Sequence, residues 1–435
     1  MRNYLLNGAI VLTMAVAVAG CDSKNDETTN SSNLPLTNED NERKVINLTL
    51  EENDLVKGSG DFAFELFRKV SSDKSEIISP ISVTYALGML NNGATGETQE
   101  QINKVLGFGD KGADGINAFC KKMLTEAPVL DKLTKVSIAN NIFMNNGYKL
   151  NSDFVAKAKD FYNATPETRD FHDGKTMDVI NKWASDNTNN MIEKVIDNKS
   201  FNPDAVSYLL NAIYFKGVWA EGYKFDKNET KDETFYSYNG NKTVAMMHQN
   251  KKRMYGETDD CKILSLTFGN EAYAIDFFLP NEGKTIQDVL SSLTYDKWQS
   301  YYEYDKQLLL TTGLPRVMLN SKVDIKLPRI ETSSSIELND IMSALGMPNA
   351  FNQSKAEFPN FCTTPTFIGK MKQDAKIKLE ETGAEAAAVT GTQIAYSGVE
   401  PAYKNAVFHA NRPFFYIIHE TSTNAIFFIG QYTGE

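Results

Sequence analysis

The sequence predicts an α+β fold with large antiparallel or mixed sheets, and three observations carry that expectation. Helical patterns lead the chain and long strand-like runs follow. The two do not alternate regularly, which disfavours a doubly wound parallel sheet. The 41% hydrophobic and 11% aromatic residues supply the apolar surface for a substantial core, which excludes disorder as a description of the whole. A length of 435 residues allows one big domain or two.

Met1-Arg2-Asn3 gives a positive start, and Tyr4 to Gly20 is an apolar run interrupted by Asn7, Gly8 and Thr13. That run is short for a membrane span, and Val18-Ala19-Gly20-Cys21 places small residues before a cysteine, as at a processing site. From Asp22 to about Lys44 the large apolar residues are Leu34 and Leu36, so residues 21–45 read as a polar tether. Within it, Asp22, Asp26 and Glu27 fit either a sorting signal or a solvated linker. Phe62, Leu66 and Val70 fall at i, i+4 and i+8 and predict a helix; a second covers Ile81 to about Asn91. Strands are predicted at Val136 to Met144, Leu209 to Phe215, Ile263 to Phe268, Tyr273 to Leu279, Val323 to Leu327, Phe414 to Ile418 and Ala425 to Ile429. No later apolar run reaches a membrane-spanning length of about 18 residues.

A net charge of -11 argues against nucleic acid, whose phosphates need clustered Lys and Arg. Cys21, Cys120, Cys261 and Cys362 are widely spaced and form no CxxC pair, so neither a disulfide framework nor a metal site is expected. The four histidines are His172, His248, His409 and His419; no recognisable nucleophile setting accompanies them. Gly107, Gly109 and Gly112 make a GxGxxG string, but the residues before it, Gln99 to Leu106, read as helix. A dinucleotide fingerprint needs a strand there, so the string is a loop. No other enzyme signature occurs, and no cofactor is expected.

The unusual stretch lies near the C-terminus. Lys376 to Glu381 alternates, with Ile377 and Leu379 on one side, and predicts a strand. Ala384 to Ala388 reads as a helix fragment by propensity. Laid out as a strand, Ala384, Ala386, Ala388 and Thr390 line one face, which is uniformly small, with Glu385, Ala387 and Val389 on the other. A segment tolerable outside a sheet and well fitted inside one suits a conformational switch.

The stretch Glu381-Thr382-Gly383-Ala384-Glu385-Ala386-Ala387-Ala388 resembles the mobile hinge of inhibitory serpins. Ordered matches to that family run from about Ile46 to Glu435: Asp61-Phe62-Ala63-Phe64-Glu65-Leu66, Ser79-Pro80-Ile81-Ser82, Gly93-Ala94-Thr95-Gly96-Glu97-Thr98, Asn211-Ala212-Ile213-Tyr214-Phe215-Lys216-Gly217-Val218-Trp219, Leu327-Pro328-Arg329 and Asn411-Arg412-Pro413-Phe414. The resemblance implies a domain over 46–435 with three β-sheets, about eight or nine helices and an exposed reactive-centre loop over 383–405. It implies no catalysis, but covalent trapping of a target endopeptidase by insertion of the cleaved loop into the main sheet, and a monomer. The family's spacing puts the reactive bond at Ser397–Gly398, or in a register one shorter at Tyr396–Ser397. No Arg or Lys lies between Ala384 and Ala402, so the expected targets are elastase-, subtilisin- or chymotrypsin-like serine endopeptidases, with cysteine endopeptidases as a second class. Gln373 stands where many members have a histidine in a sheet-opening cluster with Ser82 and Asn211. Ala384 and Thr382 likewise replace the more common hydroxyl and acid.

Residues 1–21 resemble a bacterial lipoprotein precursor. That implies removal of 1–20, lipidation of Cys21 and a membrane anchor in the cell envelope, on the outer membrane; which side it faces stays open between the sorting-signal and the solvated-linker readings of Asp22, Asp26 and Glu27. Two rival functions stand beside inhibition: a non-inhibitory serpin acting as a surface binding protein, and a lipid-anchored enzyme or glycan-binding protein with an unrecognised motif.

Overall fold

The structure, a computed structural model, describes residues 41–190, 192–302, 317–383 and 404–435. The expectations for the leader, Cys21, nearly all of the tether and Ala384 to Tyr403 fall outside the described residues.

Thr49 caps the first helix, α1 (Leu50–Val70), through a reciprocal capping box with Glu52. The Phe62–Leu66–Val70 stripe is its buried face. Ser79 caps α2 (Pro80–Asn91), which starts with proline and is buried along nearly its whole length. There follow α3 (Gly96–Val105), α4 (Gly112–Glu126), β2 (Thr134–Asn145), α5 (Ser152–Tyr162), β3 (Glu167–Arg169), α6 (Thr176–Asn187) and β4 (Ser207–Gly217), with β1 (Glu76–Ile78) lying between α1 and α2. Gly107, Gly109 and Gly112 all have positive φ and join α3 to α4. A Cβ on Gly58 would stand 2.1 Å from the Gly107 carbonyl oxygen, so this joint is a close helix contact.

The second half is mostly strand: β5 (Lys231–Ser237), β6 (Gly240–Glu257), β7 (Cys261–Phe268), β8 (Tyr273–Pro280), β9 (Leu319–Pro328), β10 (Ile330–Glu337), β11 (Lys372–Leu379), β12 (Asn405–His409), β13 (Phe414–Glu420) and β14 (Ile426–Tyr432). Interspersed are α7 (Ile286–Ser292), α8 (Tyr295–Ser300) and α9 (Asn339–Leu345), which make nine α-helices among the described residues. Three sheets result. The largest has nine strands in the order β1-β14-β13-β8-β7-β6-β9-β12, with β5 on β6; a three-stranded sheet runs β3-β2-β4, and a two-stranded one pairs β10 with β11. The β12–β9 and β2–β3 pairs are parallel and the rest antiparallel, a mixed arrangement as predicted.

Every residue of β8, β13 and β14 is buried. Buried on both faces, they read as continuous apolar runs in the sequence. The 18-residue β6 is not among the predicted strands, because its run Asn250 to Lys252 is polar and exposed. Ladders to β5, β7 and β9, rather than local pattern, make it a strand.

Candidate functional site

In β11 the alternation is direct: Gln373, Ala375, Ile377 and Leu379 are buried, and Lys376 and Lys378 point outward to Glu331 and Glu380. The strand stops at Leu379, two residues before the predicted end at Glu381. Glu380 and Gly383 exchange backbone hydrogen bonds of 3.0 and 2.9 Å, so Glu381 and Thr382 form a tight reversal. At Gly383 φ is +115°. A Cβ there would lie 2.3 Å from the Gly217 carbonyl oxygen, so both conformation and space require glycine.

The reversal is locked from both sides. Its carbonyls accept from the Phe225 N–H at Glu381 (2.9 Å), the Trp219 N–H at Thr382 (3.0 Å) and the Trp219 indole at Glu380 (2.9 Å). Trp219 is itself stacked on Phe268, with ring centroids 4.7 Å apart. The Glu381 carboxylate is buried and accepts from Arg329 Nε at 3.0 Å, Arg329 Nη2 at 2.6 Å and Thr230 Oγ1 at 2.6 Å. Burial pushes the Glu381 carboxyl up, but the hydrogen bonds from Arg329 and Thr230 outweigh it, and its pKa lies below the ordinary carboxylate value.

Gly383 forms antiparallel bridges on both sides, to Glu380 at the end of β11 and to Val218 just beyond β4. Away from Gly383, β4 is laddered to β2 along one edge and β11 to β10 along one edge. Among the described residues no ladder joins β4 to β11. A strand running on between them would be antiparallel to both and would meet two edges of backbone donors and acceptors.

Of the predicted sheet-opening residues, Ser82 and Asn211 are together: the Ser82 hydroxyl donates to Asn211 Oδ1. Asn211 Nδ2 donates in turn to Asn140 Oδ1 at 2.8 Å, between the paired strands β4 and β2. Gln373 takes a different partner. Its amide clasps the backbone of Ser79, accepting from the N–H at 2.7 Å and donating to the C=O at 3.0 Å. Ser79 links the two groups, since its hydroxyl accepts weakly from the Ser82 N–H at 3.4 Å and donates to the Phe427 carbonyl at 2.7 Å. Sequence reasoning did not name Asn140, Ser79, Trp219, Thr230 or Arg329 as site residues. For Ser79, Trp219 and Arg329 a signal existed, since all three lie in the matched strings.

The histidines sit elsewhere. His409 Nε2 is 3.0 Å from Asp324, and the buried His419 is 3.5 Å from Asp276, whose carboxylate accepts from the Trp298 indole at 2.8 Å. Cys120, Cys261 and Cys362 are buried free thiols, and burial pushes Cys261 up to about 11. Among the described residues no His, Cys, Asp and Glu cluster is arranged to hold a metal.

A family profile described as Serpin (serine protease inhibitor) matches residues 57–434. Serpin B3 of Homo sapiens is 30% identical over 403 residues, covering 88% of this chain and 99% of the relative. The crystal structure of tengpin, a thermophilic serpin, in its native state superposes with a TM-score of 0.76 at 26% identity, over 90% of this chain and 96% of that one. The latent state of tengpin gives 0.72 at 26% identity, over 90% and 99%. With a profile spanning the domain and a relative matched over nearly its full length, the chain belongs to the serpin family.

Proposed function

We propose that the protein is a suicide-substrate inhibitor of serine endopeptidases. The observation that carries this reading is Gly383, bridged on both sides between the ends of β4 and β11, at the head of a slot with no ladder across it among the described residues. The alanine-rich segment that follows in sequence has one uniformly small face, suited to such a slot.

The target's serine attacks the Ser397 carbonyl carbon, the bond to the Gly398 nitrogen breaks, and the proton lost by the serine passes to that leaving amine. The ester left behind joins protease and inhibitor. Cut from its far end, the segment from Gly383 enters as a central strand. About a dozen new ladder bonds at a net 0.5 to 1.5 kcal/mol each supply on the order of 10 kcal/mol. About 13 residues at roughly 3.3 Å each carry the protease about 43 Å. Trapping is a race between insertion and hydrolysis of the ester, and the uncut form is kinetically held above its lowest state. Cleavage at Tyr396–Ser397 is the second register; it would favour chymotrypsin-like or papain-like targets. We further propose that Cys21 carries lipid and holds the inhibitor on the outer face of the cell envelope, where extracellular proteases are met.

Incubation with elastase, subtilisin and chymotrypsin tests the reading. A complex that survives denaturing electrophoresis, together with a released peptide whose mass starts it at Gly398, is the expected outcome. Cleavage without a complex would instead mark a non-inhibitory serpin.

A further inference from the structure

The long strand β6 buries one guanidinium. Lys252 is exposed, but Arg253 beside it is 5% exposed, and no carboxylate pairs with it among the described residues. Its acceptors are neutral. Nη1 donates to the Lys252 carbonyl at 2.7 Å, and Nη2 donates to the Gly222 carbonyl at 2.6 Å and to Gln249 Oε1. Nε is buried without a hydrogen-bond partner. Burial pushes the guanidinium down to about 10, which leaves it a cation at neutral pH. The Tyr223 ring lies against it, with the guanidinium carbon 4.0 Å from the ring centroid. An apolar side chain of similar volume would fill this place at a lower cost. The stability of the fold alone therefore does not ask for arginine here.

What the charge holds is a turn. Gln249 precedes Arg253 by four residues on the same face of the strand, and its Nε2 donates to the Tyr223 carbonyl at 3.2 Å and the Lys224 carbonyl at 2.7 Å. With Arg253 on Gly222, side chains of β6 take up three successive carbonyls of the segment that leaves β4. Inside that segment the Tyr223 N–H donates to the Ala220 carbonyl at 2.9 Å, and Gly222 has φ +78° with open space around it. The two ends of the turn carry the two amides that hold the reversal: the Trp219 N–H on Thr382 and the Phe225 N–H on Glu381. So β6 fixes the middle of the turn, the ends of the turn fix Glu381 and Thr382, and Gly383 follows in register against Val218.

We propose that Arg253, with Gln249 beside it, is a positioning residue for trapping: by clamping the turn over 219–225 it keeps the Glu381–Thr382 reversal preformed as the turn through which the cleaved segment enters the slot. The consequence for trapping rests on the inhibitory reading; the clamp itself does not. Because the reversal already leads from β11 to Gly383, insertion has no turn left to form and proceeds by extending the ladder from Gly383. Ordering that turn in advance takes its conformational entropy out of the insertion step. A loosened reversal must be ordered again after cleavage, while the ester hydrolyses.

The test compares amide hydrogen exchange in the full uncut chain with that in two single variants, Arg253→Met, which fills the space without the charge, and Gln249→Ala. In both, the Trp219 and Phe225 amides should exchange about tenfold faster or more, while the amides of β8 keep the parental rate. Parental rates at Trp219 and Phe225 overturn the clamp. A rise of the same factor in β8 marks a general loss of stability and overturns the positioning role. In a second arm, parent and variants are mixed with chymotrypsin and the ratio of cleaved to trapped chain is read by denaturing electrophoresis. That ratio should rise severalfold in the variants; an unchanged ratio beside a loosened turn overturns the link to trapping. A parent that traps none of elastase, subtilisin and chymotrypsin refutes the inhibitory reading and the link with it, while the exchange rates still decide the clamp.

Discussion

Glu381 shows how one buried charge can hold a turn. Its carboxylate has 1% side-chain exposure, against 46% for Arg329, so removing the arginine leaves a desolvated anion with Thr230 as its remaining side-chain partner. Arg329→Ala should therefore cost on the order of 3 kcal/mol, read as a lowered melting temperature. The sign with pH follows from the lowered pKa of Glu381. The pair's contribution is full above the ordinary carboxylate value of 4.5 and is lost as pH falls through the lower, folded value. Melting curves taken on the acid side should show that loss in the parent and a smaller one in Arg329→Ala. Gly383→Ala forces a side chain into the φ +115° region against the Gly217 carbonyl, at a cost of about 1 to 3 kcal/mol. The Trp219 amide, bonded to Thr382, should then exchange faster with solvent; unchanged exchange would mean the reversal tolerates a Cβ.

At the scale of elements, the question is what lets β4 and β11 separate. Gln373 fastens β11 to the cap of α2 through two hydrogen bonds to Ser79, and Ser82 with Asn211 fastens β4 to the same helix. Gln373→Ala leaves the buried Ser79 N–H without its side-chain acceptor, which costs about 1 to 3 kcal/mol. Because the loss falls on the closed arrangement, the variant should melt lower; an unchanged melting temperature would show that the clasp contributes nothing. The inserting segment yields a separate prediction. Ala386→Arg places a cation on its small face, where burial without a partner costs several kcal/mol. That variant should be cleaved at the parental rate yet trap little protease, and full trapping would refute the assignment of the inward face.

For the whole molecule, stored free energy must appear as a difference between two forms of one chain. If insertion adds about a dozen ladder bonds, the nicked protein should melt higher than the intact one by on the order of 10 °C, since unfolding entropy is about 2 cal/mol/K per residue. Calorimetry on intact and subtilisin-nicked protein checks this. A nicked form that melts at or below the intact temperature would remove the driving force on which trapping depends.

The sequence alone determines what depends on local pattern. The buried runs of β8, β13 and β14, the amphipathic stripe of α1, the alternation of Ile377 and Leu379 in β11 though not its end, and a hinge of small residues around Gly383 are all legible as periodicity and residue size. What only the tertiary structure decides is which distant groups meet. Arg329 reaches Glu381 across 52 residues, Gln373 reaches Ser79 across 294, and β6 becomes a strand through its neighbours rather than its own composition. The physical reason is that a side chain's preference for strand or helix is set by its own few neighbours, whereas a hydrogen-bond partner is set by sheet register and crossing geometry, which the whole core fixes at once.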